Sequence, residues 1–273
     1  MVICGHIMIH PTAIIDPQAR LGTGVKVGPY AVIDAGVELG DHCVVGPQVY
    51  LTGQTKIGSG TQFHAGCVIG DAPQELKYKN DPTRLRIGDN NVFREHVTVH
   101  RSTKLEEDTV IGSHNFLMAG SHVAHNCHVG NHVILANGAL LAGHVTVQDR
   151  AFISGNCLVH QFVRVGTLAM MRGGSAISQD LPPFSMSRGD NTLCGLNIVG
   201  MRRAGYSAEE RLELKRLYHL LFRSGKNLRA AVAAAQPLFS GKAAQMMLEF
   251  VAATKRGVCS CNKYHENGVE EEL

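Results

Sequence analysis

Apolar residues recur along this chain at every sixth position. Stepping by six from Ile9 gives Ile15, Leu21, Val27, Ile33, Leu39, Val45, Leu51, Ile57, Phe63 and Ile69. Glu75 and Asp81 interrupt the series. The same frame then resumes at Ile87, Phe93, Val99, Leu105, Ile111 and Leu117 and runs on to Ile177. Of 29 positions in this frame 27 are apolar, in a chain that is 44% hydrophobic, so the period is not a product of composition. Four residues after most anchors sits a small side chain, as at Ala13, Ala31, Cys43, Cys67, Cys127, Ala139 and Cys157. Glycine often follows the anchor directly, as at Gly22, Gly40, Gly58 and Gly130. One large and one small inward side chain per six residues is the mark of a hexapeptide parallel β-helix, in which three hexads close one triangular coil. An isolated hexad cannot bury its anchor, and stacking of coils does so. With coils spaced about 4.8 Å apart, residues 9–180 predict between nine and ten coils, a prism on the order of 45 Å long.

The interruption, "DAPQELKYKNDPTRLR" at 71–86, is polar and carries two prolines. It drops two anchors without shifting the frame. It therefore reads as a loop thrown out from one coil, and long loops on rigid scaffolds often carry function. Pro182 and Pro183 stop the repeat. From Ser207 the signals become helical. Ser207 and Glu210 form a capping-box pattern. "RLELKRLYHLLFRSG" places Leu212, Leu217, Leu220 and Leu221 near one face, with Gly225 as its stop. A second helix is expected over Leu228–Ala235 and a third over about Lys242–Lys255. The predicted organisation is a β-helix over 7–190 with its loop at 71–86, a small α-helical domain over 191–257, and a disordered tail over 258–273.

Composition narrows the function classes. A net charge of +3 over 273 residues demands no nucleic acid partner. No apolar run approaches the roughly 20 residues of a membrane span. "MVICGHIMIHP" has no signal-peptide pattern. Eight cysteines without a CxxC pair read as reduced thiols in a cytoplasmic protein, and those in the small-residue slot read as buried packing groups.

Candidate chemistry concentrates in "SHVAHNCHVGNH" at 121–132. Stacking turns sequence spacing into neighbourhood, since every eighteenth residue is equivalent on adjacent coils. His125 then lies one coil from Gly143, His144 one coil from Asn126, and His160 one coil beyond Ala142. Three readings compete. A metal would want three or four converging ligands, whereas histidines three apart on an extended chain face different ways, and no metal site is expected. Histidines decorating a repeat corner form the plainest reading. The third is a general base, because an imidazole titrates near pH 6.5 and a sugar hydroxyl needs such a base to attack an acyl group. A bare glycine amide one coil away suits a developing oxyanion.

The stretches "PQELKY", "SHVAHNCHVGNHVILANGALLAGHVTV", "LVHQFVRVG", "RGGSAISQDLPPF", "GLNIVGMRRAGYS" and "LYHLLFRSGKNL" closely resemble the UDP-N-acetylglucosamine O-acyltransferases, over about residues 7–257. The resemblance implies a left-handed parallel β-helix, an exception to right-handed crossovers, followed by a small helical domain. It implies a homotrimer with active sites between prisms, acting at the opening of lipid A synthesis. The donor would be a (3R)-3-hydroxyacyl chain on acyl carrier protein, held through phosphopantetheine, with no further cofactor. The acceptor would be the 3-hydroxyl of UDP-GlcNAc. By position, His125 matches the base and Gly143 the oxyanion donor. His122, His144 and His160 match substrate-lining histidines. Gln74, Glu75 and Lys77 match acceptor contacts in the loop, and Gln161, Asn197 and Arg203 match positions around the nucleotide. Gly173 matches the floor of the acyl groove. The chain departs from the family pattern where Glu75 replaces an aspartate, Asn126 replaces the aspartate after the base, Ala204 replaces a second arginine, and Val199 stands where a glutamate can occur. Two alternatives stay open. One is the same chemistry on a 3-amino UDP-sugar, and the other is a non-catalytic β-helix scaffold.

Overall fold

The computed structural model describes residues 2–4 and 7–261. Its body is a triangular prism of short parallel strands in three walls. Wall one holds anchors such as Val27, Phe63, Leu117 and Leu135. Wall two holds Ile33, Val99, Val123 and Leu141, and wall three holds Leu39, Ile87, Val129 and Val147. In the regular part, partners are eighteen residues apart, as Val123 with Leu141 and Leu141 with Val159. Each of these anchors is at most 4% exposed, so the core is a single column inside the prism. The cysteines in the small slot, Cys43, Cys67, Cys127 and Cys157, are fully buried. Burial pushes the Cys127 thiol up to about 12, so these groups act as packing atoms.

Corners turn through a residue with positive φ. Glycine does this at Gly24, Gly60 and Gly138, and Asn or His does it at Asn90, His114, Asn126, His132 and His144. The left-handed region costs little for glycine and is tolerated by short polar side chains, which explains the polar residues at that place in the hexad.

The structure corrects the coil count. Ile57 pairs with Ile87 and Ile87 with Ile111, separations of 30 and 24 residues in place of eighteen. The first excess is the expected loop, now bounded at 72–83 between strands Val68–Asp71 and Arg84–Ile87. The second is a loop that periodicity hid, 101–108, between strands Thr98–His100 and Thr109–Ile111. Leu105, read as an anchor, is 48% exposed on this loop. Both insertions are whole multiples of six, so the frame survives them and a loop leucine falls on it. Walls one and two carry nine hexad strands each and wall three carries eight. That is between eight and nine coils, about 40 Å of prism.

Two antiparallel pairings that periodicity did not reveal close wall one. Val2–Cys4 pairs with Ile7–Ile9 at one end, and Ser185–Arg188 pairs with Thr192–Leu196 at the other. The β-structure thus extends to Leu196, past the expected boundary at 190. Among the described residues four helices follow: α1 (Ile198–Arg203), α2 (Ala208–Phe222), α3 (Leu228–Ala235) and α4 (Lys242–Ala252). The capping box of Ser207 and Glu210 is formed. The buried face of α2 is Leu214, Leu217, Tyr218 and Leu221, while Leu212 is 49% exposed. A spacing of three, four and seven from Leu214 defines that stripe better than the expected one. α4 ends three residues earlier than expected.

Asp180, 1% exposed, locks the helical part to the prism. It accepts hydrogen bonds from Arg164 Nε at 2.9 Å and Thr254 Oγ1 at 2.8 Å. The expected tail begins too early. Val258 and Ser260 bridge to Asp180 and Thr192, and Cys259 is fully buried between them. Residues 262–273 of that predicted tail lie outside the described residues. No helix among the described residues is long and apolar enough to cross a membrane.

Candidate active site

Both loops leave the prism at the corner between walls two and three. The next coils place His125, Gly143 and His160 at or beside the same corner. His125 and Gly143 are equivalent residues of adjacent turns. His144 N donates to His125 O at 3.0 Å, and Phe162 N donates to Gly143 O at 3.1 Å. The imidazole lies directly on the glycine. A Cβ built at residue 143 would stand 2.5 Å from His125 Cε1 and 2.8 Å from Nε2. Only glycine leaves room for the ring there. Among the described residues, the Gly143 N–H donates no hydrogen bond.

A groove of about 700 Å³ opens here. Gln74 of the first loop, His100, His122, His125 and Gly143 line one part. Leu140, Leu158 and Ala176 continue along the outer face of wall two to Ser178, Asp190 and Asn191. Leu140 and Leu158 are 40% and 49% exposed. The outward side chains of wall two thus change from imidazole to aliphatic along one continuous strip.

The histidines differ in environment. His122 is pushed down to about 4, chiefly by burial and then by His100, against a hydrogen bond with Thr98. Its Nδ1 lies 2.7 Å from Thr98 Oγ1. His100 is also lowered, mainly by burial, and its buried Nδ1 has no partner among the described residues. His144 stacks on Phe162 at 4.6 Å and meets His125 edge-on at 5.3 Å. Burial and then His125 lower it, while Glu107 and Glu75 act in the opposite sense. Near neutral pH these three rings are therefore uncharged hydrogen-bonding groups.

The loops are pinned to the site. Arg101 donates to Tyr78 Oη at 3.1 Å and to Gly70 O at 2.9 Å, joining the two loops at their roots. Thr103 and Ser102 hold Asn126, whose Oδ1 lies 2.9 Å from His125 Nδ1. The sequence singled out Asn126 for what it replaces. Its contact with the His125 ring is now explicit.

One chain brings together Gln74, His122, His125, Gly143 and His160, with His144 edge-on to the His125 ring. Glu75 and Lys77 are exposed on the first loop, where Lys77 N donates to Glu75 Oε1 at 3.2 Å. Gln161 follows Gly143 in the corner column and is exposed. Gly173 sits at the opposite edge of wall two, where a Cβ would meet only Gly155 O at 3.6 Å. Asn197 and Arg203 do not line this groove. Asn197 caps α1, accepting from Gly200 N and donating to Leu168 O at the corner between walls three and one. Periodicity passed over four groups. His100 and Ser102 are displaced from their neighbours by the second loop. Asn191 lies in the terminal hairpin. Arg256 donates to Ser178 O at 3.1 Å beside His160. The "TVHRST" histidine was the one readable signal among them.

A repeat prism with an imidazole packed against a glycine of bare N–H at one corner fits an acyltransferase of the hexapeptide class. Residues 18–53, 36–71 and 108–143 match the bacterial transferase hexapeptide repeat model. Residues 180–259 match the second domain of UDP-N-acetylglucosamine O-acyltransferase. The acyl-(acyl-carrier-protein)–UDP-N-acetylglucosamine O-acyltransferase of Halorhodospira halophila is 45% identical over 253 residues, 92% of this chain and 98% of that protein. That of Xanthomonas euvesicatoria is 46% identical over 253 residues, 91% of this chain and 96% of the relative. The crystal structure of a UDP-N-acetylglucosamine acyltransferase from Bacteroides fragilis superposes with a TM-score of 0.89 at 36% identity, covering 92% of this chain and 99% of the other. This chain belongs to the UDP-N-acetylglucosamine O-acyltransferase family, and its prism is the left-handed parallel β-helix of that family.

Proposed function

We propose that this protein moves a (3R)-3-hydroxyacyl group from acyl carrier protein to the 3-hydroxyl of UDP-GlcNAc, the opening step of lipid A biosynthesis, with His125 as general base. The observation that carries this reading is the His125 ring packed against Gly143, whose N–H is unpartnered among the described residues. His125 Nε2 takes the proton of the sugar hydroxyl, and the oxygen attacks the thioester carbonyl carbon. The Gly143 N–H receives the negative charge on the carbonyl oxygen. The carbon–sulfur bond breaks as the tetrahedral centre collapses, and the imidazolium returns its proton to the departing thiolate. Phosphopantetheine on the carrier protein supplies the leaving thiol.

The aliphatic strip of Leu140, Leu158 and Ala176 suits an acyl chain leading away from the base. Its apolar surface is covered when such a chain binds. His122, His144 and His160 with Gln74, Glu75 and Lys77 surround the sugar end. Gln161, Asn197 and Arg203 serve the nucleotide and Gly173 the acyl groove. Asn197 and Arg203 stand on the far corner from their own groove, so they act on a neighbouring chain's substrate, in a homotrimer with clefts between prisms. The names of the curated relatives support the O-acyl product over N-acylation of a 3-amino sugar. They equally disfavour a non-catalytic scaffold.

The test incubates the protein with a series of 3-hydroxyacyl carrier proteins and either UDP-GlcNAc or its 3-amino analogue, with products read by mass spectrometry. The expected product is the O-acylated UDP-GlcNAc, bonded at the 3-position. Product from the amino sugar alone, or none from either, overturns the proposal.

A further inference from the structure

His125 is useful as a base only if the ring nitrogen facing the groove is bare. Asn126 decides which nitrogen that is. The side-chain amide of Asn126 is 1% exposed and fully engaged. Its Oδ1 accepts from Thr103 N at 3.1 Å and from Thr103 Oγ1 at 2.9 Å. A backbone N–H can only donate, so the atom facing it is the oxygen. On the other side, Nδ2 donates to Ser102 Oγ at 2.7 Å. The Ser102 hydroxyl is free to accept because its own proton goes to Lys104 O at 3.2 Å. Turning the amide over would set its NH₂ against the Thr103 N–H, donor against donor. Oδ1 is also 2.9 Å from His125 Nδ1. An amide oxygen has no proton to give, so Nδ1 carries the hydrogen and Nε2 carries the lone pair.

We propose that the second loop, through Ser102 and Thr103, orients the Asn126 amide so that it holds His125 in the Nδ1–H tautomer, with a neutral dipole where a carboxylate would supply charge. This deepens the assignment of His125 as base and rests on it. Asn126 is a positioning residue. The proton arriving at Nε2 creates an imidazolium that faces a carbonyl oxygen. Ser102 is the counterpart that an amide needs and a carboxylate does not, because only the amide has an NH₂ to place.

The charged and titratable neighbours of the ring are His100 and His122 from wall two and His144 edge-on. Asp71 and Arg101 stand beside His100. Lys104 and Glu107 come from the second loop and Glu75 from the first. All of them remain in a variant altered at 126, so a change in pH profile there reports the partner of Nδ1.

The direct test is ¹⁵N NMR of the full-length protein labelled in histidine, with His125 assigned by its loss in His125→Ala. The expected spectrum at a pH where the ring is neutral shows a protonated Nδ1 and a bare Nε2. A proton on Nε2 in the native protein overturns the inference. Kinetics give a second reading. Asn126→Asp should move the acid limb of kcat/KM to higher pH, because a carboxylate stabilises the imidazolium. Ser102→Ala takes away the acceptor of Asn126 Nδ2 and leaves the amide held from the Thr103 side alone. It should lower kcat at least about tenfold, with KM for the UDP-sugar within about twofold, a fraction of the roughly 10²–10⁴ a positioned base supplies, and a somewhat lower melting temperature, since the buried Nδ2 loses its acceptor. An unmoved pH limb in Asn126→Asp, with native kcat in Ser102→Ala, also overturns it. Full turnover in His125→Ala would instead remove the base itself, so the two failures are distinguishable.

Discussion

Two corners of the same prism solve one problem in opposite ways. At the corner between walls three and one, polar side chains answer the backbone of the coil next to them. Thr23 N donates to Asp41 Oδ1 at 2.7 Å, and Asp41 N to Ser59 Oγ at 3.2 Å. Ser59 N donates to Asp89 Oδ1 at 2.7 Å, and Asp89 N to Ser113 Oγ at 2.9 Å. Ser113 N reaches Asn131 Oδ1 at 2.8 Å, and Asn131 N reaches Asp149 Oδ1 at 2.7 Å. This ladder answers the amides of six successive coils on that column, from Thr23 to Asn131. At the corner between walls two and three the ladder is missing. There the chain throws out two loops, stacks an imidazole on a glycine, and leaves that glycine's N–H unanswered. The polar capacity that stabilises one corner is withheld at the other, where a reacting oxygen can use it.

That contrast can be broken from either side. The largest effect is expected for His125→Ala, which should lower kcat by about 10³-fold, within the range of a positioned base, while the melting temperature and assembly stay native. Steady-state turnover and a thermal melt check both parts. Next, Leu135→Ala removes a fully buried anchor and should cost about 2–5 kcal/mol of stability by denaturant unfolding, through lost burial and the cavity left behind. Its counterpart Leu105→Ala, in the same sequence frame but exposed on the second loop, should stay within about 0.5 kcal/mol. On the ladder corner, Asp89→Ala should cost about 1 kcal/mol, the net worth of a hydrogen bond to a charged acceptor near solvent, and leave kcat unchanged. Acid should act on the histidine side. His122 is held down to about 4 by burial, against an unfolded value near 6.5. A depressed folded value means that the unfolded chain binds the extra proton. Its contribution to stability is present above about pH 6.5 and is lost as pH falls towards 4. Unfolding curves across that window should show a shallower decline in His122→Asn than in the native protein.

The sequence carried the prism because every hexad repeats one inward anchor, and burial of that anchor is what the fold requires. It carried the pairing of His125 with Gly143 for the same reason, since the coils between them are regular. It did not carry the second loop. An insertion one hexad long preserves the frame, so Leu105 looks like an anchor and the coil count comes out too high. The partners of Asn126 were hidden by the same insertion, because Ser102 and Thr103 reach it across 24 and 23 residues. The helical boundaries were readable from caps, as at Ser207. The hairpin to Leu196 and the strap of Val258 and Ser260 depend on tertiary pairing that no local pattern announces.

The most direct test is the turnover of Gly143→Ala. Backbone conformation does not demand glycine there, since its φ is not in the left-handed region, so the fold should hold. The new methyl group would push on the His125 ring from 2.5 Å and part the imidazole from residue 143. The prediction is a fall in kcat of about 10²-fold, the scale of a lost oxyanion contact, with a native melting curve. Native turnover in a protein whose methyl group is seated at 143 would contradict the account.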